Sequence, residues 1–194
     1  DTSVFQPIPR EQRQESLSKL KTMLRSGGKS FKQTREFQEK LSRGDVSVTR
    51  AYWNSYNHNL EDEDLGVRLS QINTDDNWML FLGALTYGKG IHSLLTAMPA
   101  ILKKQPNTQL FIVGSGTYRE FLEALVYCLI HEQKLLFQTL VRRGQSFDRN
   151  LGNGPLEDVV NFISTKKNRK QLFEYGPLLK DRVHFCGRLD HSRL

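Results

Sequence analysis

Trp78-Met-Leu-Phe-Leu-Gly83-Ala-Leu-Thr-Tyr-Gly88-Lys89-Gly90-Ile-His-Ser-Leu-Leu-Thr-Ala-Met-Pro99 is the stretch whose reading decides the fold. The run from Met79 to Leu82 has no polar interruption, which predicts a strand covered on both faces. It stops at Gly83, a short loop follows, and a helix opens at Lys89-Gly90. Ile91, Leu94, Leu95, Met98 and Leu102 then fall on one helical face, with Pro99 expected to bend the helix. Outward from here the pattern returns twice, as Gln109-Leu-Phe-Ile-Val-Gly114-Ser-Gly116 and as Arg182-Val-His-Phe-Cys-Gly187-Arg-Leu. Three apolar runs ending in glycine, separated by helical patterns, predict an α/β fold. Its Rossmann-like parallel sheet, with flanking helices, should line one crevice with its strand ends.

Between the second and third runs, Phe121, Leu122, Leu125, Leu129, Leu136 and Leu140 mark a long helical pattern from Tyr118 to Val141. His131-Glu-Gln-Lys134 is a candidate break. Residues 144–154 read as a glycine-rich loop, and Pro155 as the first turn of a helix carrying Leu156, Val159, Val160 and Ile163. Ahead of the sheet, Pro7 and Pro9 suggest an extended entry, followed by an amphipathic helix with Leu17, Leu20 and Leu24. Gly27-Gly28 is its expected stop. A second helix carries Phe31, Phe37 and Leu41 near one face. Tyr52, Trp53 and Tyr56 could anchor a further turn, while Glu61-Asp-Glu-Asp64 with Asp75 and Asp76 forms an acidic island expected to face water. The division that follows is a linker at 1–9, helices and a polar insertion at 10–76, and the sheet domain at 77–194, with 27–76 loosely packed.

At 194 residues the chain has room for one domain with a real core. A mean hydropathy of −0.52 places polar segments outside it. No run approaches the roughly 18–20 apolar residues of a membrane span, and the first residues have neither the basic head nor the apolar stretch of a signal peptide. The missing initiator methionine reads as a cut from a longer chain. Cys128 and Cys186 both lie in apolar contexts and read as buried thiols of a reducing compartment. No Cys/His cluster has metal-ligand spacing. The net charge of +7 fits an anionic partner. Lys166-Lys167 and Arg169-Lys170, followed by Phe173 and Tyr175, make the densest basic cluster; solvated helix faces commonly look like this, so nucleic acid is not the expected partner.

A glycine at a strand end leaves room for a ligand to approach the backbone, and a helix starting there offers unpaired N–H groups to an anion. Lys89 would add a full charge, although taken alone it reads as an exposed lysine. Gly114-Ser-Gly116-Thr-Tyr-Arg119 begins like a dinucleotide fingerprint but has arginine at the third glycine position and no acidic ribose ligand downstream, against an NAD site. The P-loop, nucleophile-elbow and H-E-x-x-H patterns are all absent. Among the histidines, His131 and His184 read as packing or surface residues and His58 as part of a loop; His92 and His191 flank the crevice, though for them too a packing or surface role is the leading reading.

Together, Phe81-Leu-Gly83-Ala-Leu-Thr-Tyr-Gly-Lys89-Gly90-Ile-His-Ser-Leu-Leu, Leu110-Phe-Ile-Val-Gly114-Ser-Gly116 and Arg182-Val-His-Phe-Cys-Gly187-Arg-Leu resemble the C-terminal, donor-binding domain of retaining GT-B glycosyltransferases, the group 1 or family 4 enzymes of the glycogen-synthase-like superfamily. Asp1-Thr-Ser-Val-Phe-Gln-Pro resembles the linker that enters that domain. The resemblance implies hexosyl transfer with retention from a nucleotide-diphospho-sugar donor to an unknown acceptor, with no metal and no cofactor besides that substrate, in the cytoplasm or peripheral to its membrane. It implies Lys89 on the donor diphosphate, close donor approach at Gly83, Gly90, Gly114 and Gly116, and the backbone of Gly187, Arg188 and Leu189 beside the base. It implies no catalytic residue within the chain, since the glutamate-bearing E-x7-E region would follow Leu194 and the acceptor domain would precede Asp1. A fragment inactive alone is the expectation. Ala84 stands where the family commonly has an arginine, a loss that should weaken donor binding or shift the diphosphate burden to Arg119 or Arg188. The competing expectation is a non-catalytic module of this fold that binds a protein or polyanion through its basic surface.

Overall fold

In the computed structural model, which describes residues 8–51, 54–148 and 152–189, three strands run parallel in the order β1 (Asn77–Leu82), β2 (Thr108–Val113) and β3 (Val183–Gly187). Four helices precede them: α1 (Arg13–Met23), α2 (Phe31–Ser42), α3 (Val48–Ala51) and α4 (Leu65–Ser70). α5 (Ile91–Lys104) joins β1 to β2. α6 (Arg119–Ile130), α7 (Lys134–Arg142), α8 (Glu157–Ile163) and α9 (Lys166–Glu174) lie between β2 and β3. The chain is thus an α/β, Rossmann-like sheet with flanking helices. Tyr52, Trp53, His191 and most of the 1–9 linker lie outside the described residues.

β2 is buried at every position. Its side chains alternate as a strand requires: Leu110 and Ile112 join Leu95, Met98, Leu122 and Leu125 on one face, while Phe111 and Val113 meet Leu17, Leu65 and Leu69 on the other. The second face is therefore covered by α1 and by α4, the latter from the region expected to pack loosely. Phe37, Leu41 and Val48 of the same region enter the main core. The 27–76 segment is packed into the cores and not loosely, because its few apolar residues are concentrated where the sheet and its helices need cover.

Two further expectations are corrected. β1 is an edge strand among the described residues, with Leu80 and Leu82 61% and 56% exposed. α1 and α4 reach only as far as Trp78, over which Arg13 sits at 5.0 Å, so the uninterrupted apolar run is not covered on both faces. The acidic island is not wholly in water either, since Glu61, Asp62 and Asp76 are buried. Asp76 accepts from Gln109 Nε2 at 2.6 Å and Arg182 at 2.8 Å.

Helix ends follow local chemistry. α1 stops at Met23, ahead of Gly27-Gly28, whose amides donate to the Glu61 carbonyl at 3.4 and 2.8 Å. α2 starts with a reciprocal cap: Gln33 N–H donates to Ser30 Oγ at 3.2 Å and Ser30 N–H to Gln33 Oε1 at 2.9 Å. Phe31 faces outward from it, 67% exposed. The break between α6 and α7 falls where His131 to Lys134 suggested, with Glu132 left-handed at φ 52°. The expected loop after Gly144 opens instead as a buried 3-10 turn, Gly144–Phe147, with Phe147 stacked on Phe121 at 4.9 Å. Cys128 and Cys186 are free and buried, and burial pushes both thiols up to about 12, which leaves them unreactive.

Candidate anion site at the glycine rim

The parallel ladder continues past the strand ends through glycine. Gly83 N–H donates to the Val113 carbonyl at 3.1 Å, Gly114 N–H to the Gly187 carbonyl at 2.8 Å, and Leu85 N–H to the Ser115 carbonyl at 3.0 Å. Gly83, Gly114 and Gly187 therefore lie side by side at the C-terminal edge of the sheet. They are required there for different reasons. A Cβ on Gly114 would land on the Gly83 carbonyl oxygen, and one on Gly116 on the Leu85 carbonyl, so these two serve a backbone crossing within the protein. Gly187 is left-handed at φ 74°, and a Cβ there would come within 2.7 Å of the Leu60 carbonyl.

That crowding comes from residues 59–62, which cross the end of β3. Glu61 pairs antiparallel with Gly187, Asp62 N–H donates to the Cys186 carbonyl at 3.1 Å, and Arg188 N–H donates to Leu60 at 3.2 Å. The Arg188 guanidinium donates to Asn59 Oδ1 at 3.0 Å, and Leu189 is buried with Phe111 and Val113. The open part of the rim is the loop from Gly83 to Gly90. Around Gly88 and Gly90 no atom lies where a Cβ would be, and Lys89 is exposed with no carboxylate partner among the described residues. Lys89 ends a 3-10 turn, Tyr87–Lys89, and Gly90 caps α5. Opposite, the amides of Ser115, Gly116 and Thr117 make no backbone hydrogen bond among the described residues, at the start of α6. The start of α5, with Lys89 just ahead of it, and the loop into α6, tied to Leu85 by backbone hydrogen bonds, thus lie at one edge, an arrangement that favours a bound anion.

Two carboxylates that the pattern of glycines gave no sign of bracket this edge. Asp148 Oδ2 accepts from Tyr87 N–H at 2.9 Å. Asp158, at the start of α8, accepts from Ser93 Oγ and lies 3.4 Å from His92 Nε2. His92 is buried against Tyr87, stacked at 5.2 Å, and burial lowers its pKa against the pull of Asp158. It is a neutral packing group. His184 Nε2 is 2.9 Å from Gln109 Oε1 and stacks on Phe111, as a core residue.

Arg119 does not reach the rim. It is buried and grips Asp62 with both terminal nitrogens, at 2.9 and 2.7 Å, and Glu123 through Nε at 2.8 Å. Burial would lower its pKa, but the Asp62 and Glu123 carboxylates raise it well above the ordinary value. Lys29 pairs with Glu123 and lies 3.8 Å from Glu120, and Arg68 ties Asp62 to Asp64 at 3.1 and 2.9 Å. Burial raises the Glu120 pKa against Lys29, whereas Lys29 and Arg119 overcome the burial of Glu123 and lower its pKa. The Arg119–Glu123 spacing was readable as one helical turn; Asp62 lies 57 residues away and was not.

A parallel sheet whose glycine-ended strands meet at one edge defines a Rossmann-like domain with a candidate anion site at that rim; among the described residues no group of three or more His, Cys, Asp or Glu could hold a metal. Residues 67–143 match the family described as glycosyl transferases group 1. An uncharacterized glycosyltransferase of Methanocaldococcus jannaschii is 46% identical over 66 residues, 34% of this chain and 17% of that one. Glycogen synthase of Mycobacterium tuberculosis is 39% identical over 44 residues, 23% of this chain and 11% of the synthase. The chain thus spans about a sixth or less of the curated relatives it matches. No solved structure gives a match. Among the described residues no helix is long and apolar enough to cross a membrane.

Proposed function

We propose that this chain supplies part of the donor site of a retaining hexosyltransferase that uses a nucleotide-diphospho-sugar. The observation that carries the reading is the open loop from Gly83 to Gly90, with the exposed Lys89 immediately ahead of the start of α5. The diphosphate sits there as donor and as leaving group, and its developing charge is met by fixed dipoles and Lys89 without reorganisation. Catalysis of this kind needs no nucleophile from the chain, in keeping with buried thiols and with the burial of His92 and His184. The acceptor and the sugar-contacting carboxylates come from outside these residues.

Calorimetric titration of the full-length protein with UDP, GDP and ADP tests the reading. One nucleotide should bind, and Lys89→Ala should weaken it roughly tenfold or more, the worth of a charge-assisted hydrogen bond. Binding indifferent to that substitution overturns the site. A second reading, a non-catalytic module, is favoured by Ala84 and by the commitment of Arg119 to Asp62, which takes one candidate cation away from the rim. Turnover of a nucleotide-sugar by the full-length protein excludes it.

A further inference from the structure

The densest cluster of charge lies away from the rim. Lys166, Lys167, Arg169 and Lys170 are all exposed on α9, and Lys134 opens α7 beside them. On α1 and α2 the exposed cations Lys19, Lys32 and Arg35 each pair with a glutamate one turn away. On α9 none has an ion pair among the described residues, and Lys166 is followed one turn on by Lys170, a like charge. Lys134, Lys166, Arg169 and Lys170 line an open groove of about 440 Å³ between α7 and α9, against two carboxylates, Glu132 and Glu174.

The groove's surroundings separate the anions it could take. Its aromatic floor, Phe173, is only 6% exposed and offers no face on which a base could stack. The large side chain that does stand out is aliphatic: Leu135, next to Lys134, is 81% exposed. Cations around an exposed aliphatic side chain match a bilayer surface, where phosphates meet acyl chains. Lys103 and Lys104 extend the basic face from the end of α5, with Lys103 over Tyr175 at 5.1 Å. α5 begins at the glycine rim and spans about 21 Å, so a surface holding its far end leaves the rim open. α9 also lies beyond residues 67–143, outside the family match.

We infer that the α7–α9 groove is a docking surface for an anionic phospholipid bilayer, with Leu135 entering the acyl boundary. Cosedimentation of the full-length protein with vesicles tests this. Phosphatidylglycerol-containing vesicles should bind in a salt-sensitive manner and pure phosphatidylcholine vesicles should not. Lys166→Glu with Lys170→Glu should lower the partition coefficient about tenfold or more, given the contribution of each basic residue near such a surface. Leu135→Ser should weaken binding with the charge intact, and unchanged far-ultraviolet dichroism would show that each variant is folded. Equal binding to neutral vesicles, indifference to both variants, displacement by millimolar inorganic phosphate, or preference for single-stranded RNA in competition would each overturn it.

Discussion

Arg119 and Lys89 are both cations near the sheet edge, and their surroundings give them opposite duties. Arg119 is 3% exposed, and its charge is tolerable only because Asp62 and Glu123 hold it from two sides. Removing one partner strands the other. Asp62→Ala should therefore lower unfolding stability by about 3–5 kcal/mol, measurable in urea, with nucleotide affinity retained by the folded fraction. Lys89→Ala should do the reverse, sparing the urea midpoint and weakening nucleotide binding. If both variants lost stability alike, the ionic cluster and the rim would not be separable. The composition gave no sign of this division. An arginine that opens a helix after G-x-G reads as a ligand contact until its distant carboxylate is seen, and Asp62 sat within a run of acids that looked solvated.

At the level of elements, the periodic apolar patterns transferred well into helices and strands because burial on one side fixes their period. The three parallel strands, α5, and the interruption between α6 and α7 were legible for that reason. What the pattern could not carry was which element lies beside which. Met79 to Leu82 looks like a central strand, yet its cover depends on neighbours that no local period encodes. Likewise, the layer from α1 and α4 is polar overall and exposes its role only through Leu17, Leu65 and Leu69. The α6–α7 joint gives a direct test. Glu132 holds a left-handed backbone at φ 52°, a conformation that costs a side chain about 1–2 kcal/mol. Glu132→Gly should stabilise the protein by about 0.5–1 kcal/mol once the added freedom of glycine in the unfolded chain is counted. A thermal melt with an unchanged or lower midpoint would contradict the geometry.

For the molecule as a whole, acid sensitivity should centre on His184. Burial, with Arg68 beside it, lowers its pKa from 6.5 to about 4. Between those values the unfolded chain holds a proton that the fold rejects, so this contribution is complete above pH 6.5 and lost as pH falls towards 4. It amounts to on the order of 3 kcal/mol. Urea unfolding at steps from pH 7 to 4.5 should show the gap between the protein and His184→Gln narrowing towards acid. A gap constant with pH would place the effect elsewhere.

The outer side of β1 has a further consequence. Along six residues, peptide groups point away from β2 with no strand against them among the described residues, and Leu80 and Leu82 stand beside that row. Such a border is a template for stacking one molecule on another. Left bare at high concentration, it should make solutions turbid on standing. A single Leu82→Lys change, which sets like charges face to face, should keep them clear in a light-scattering time course.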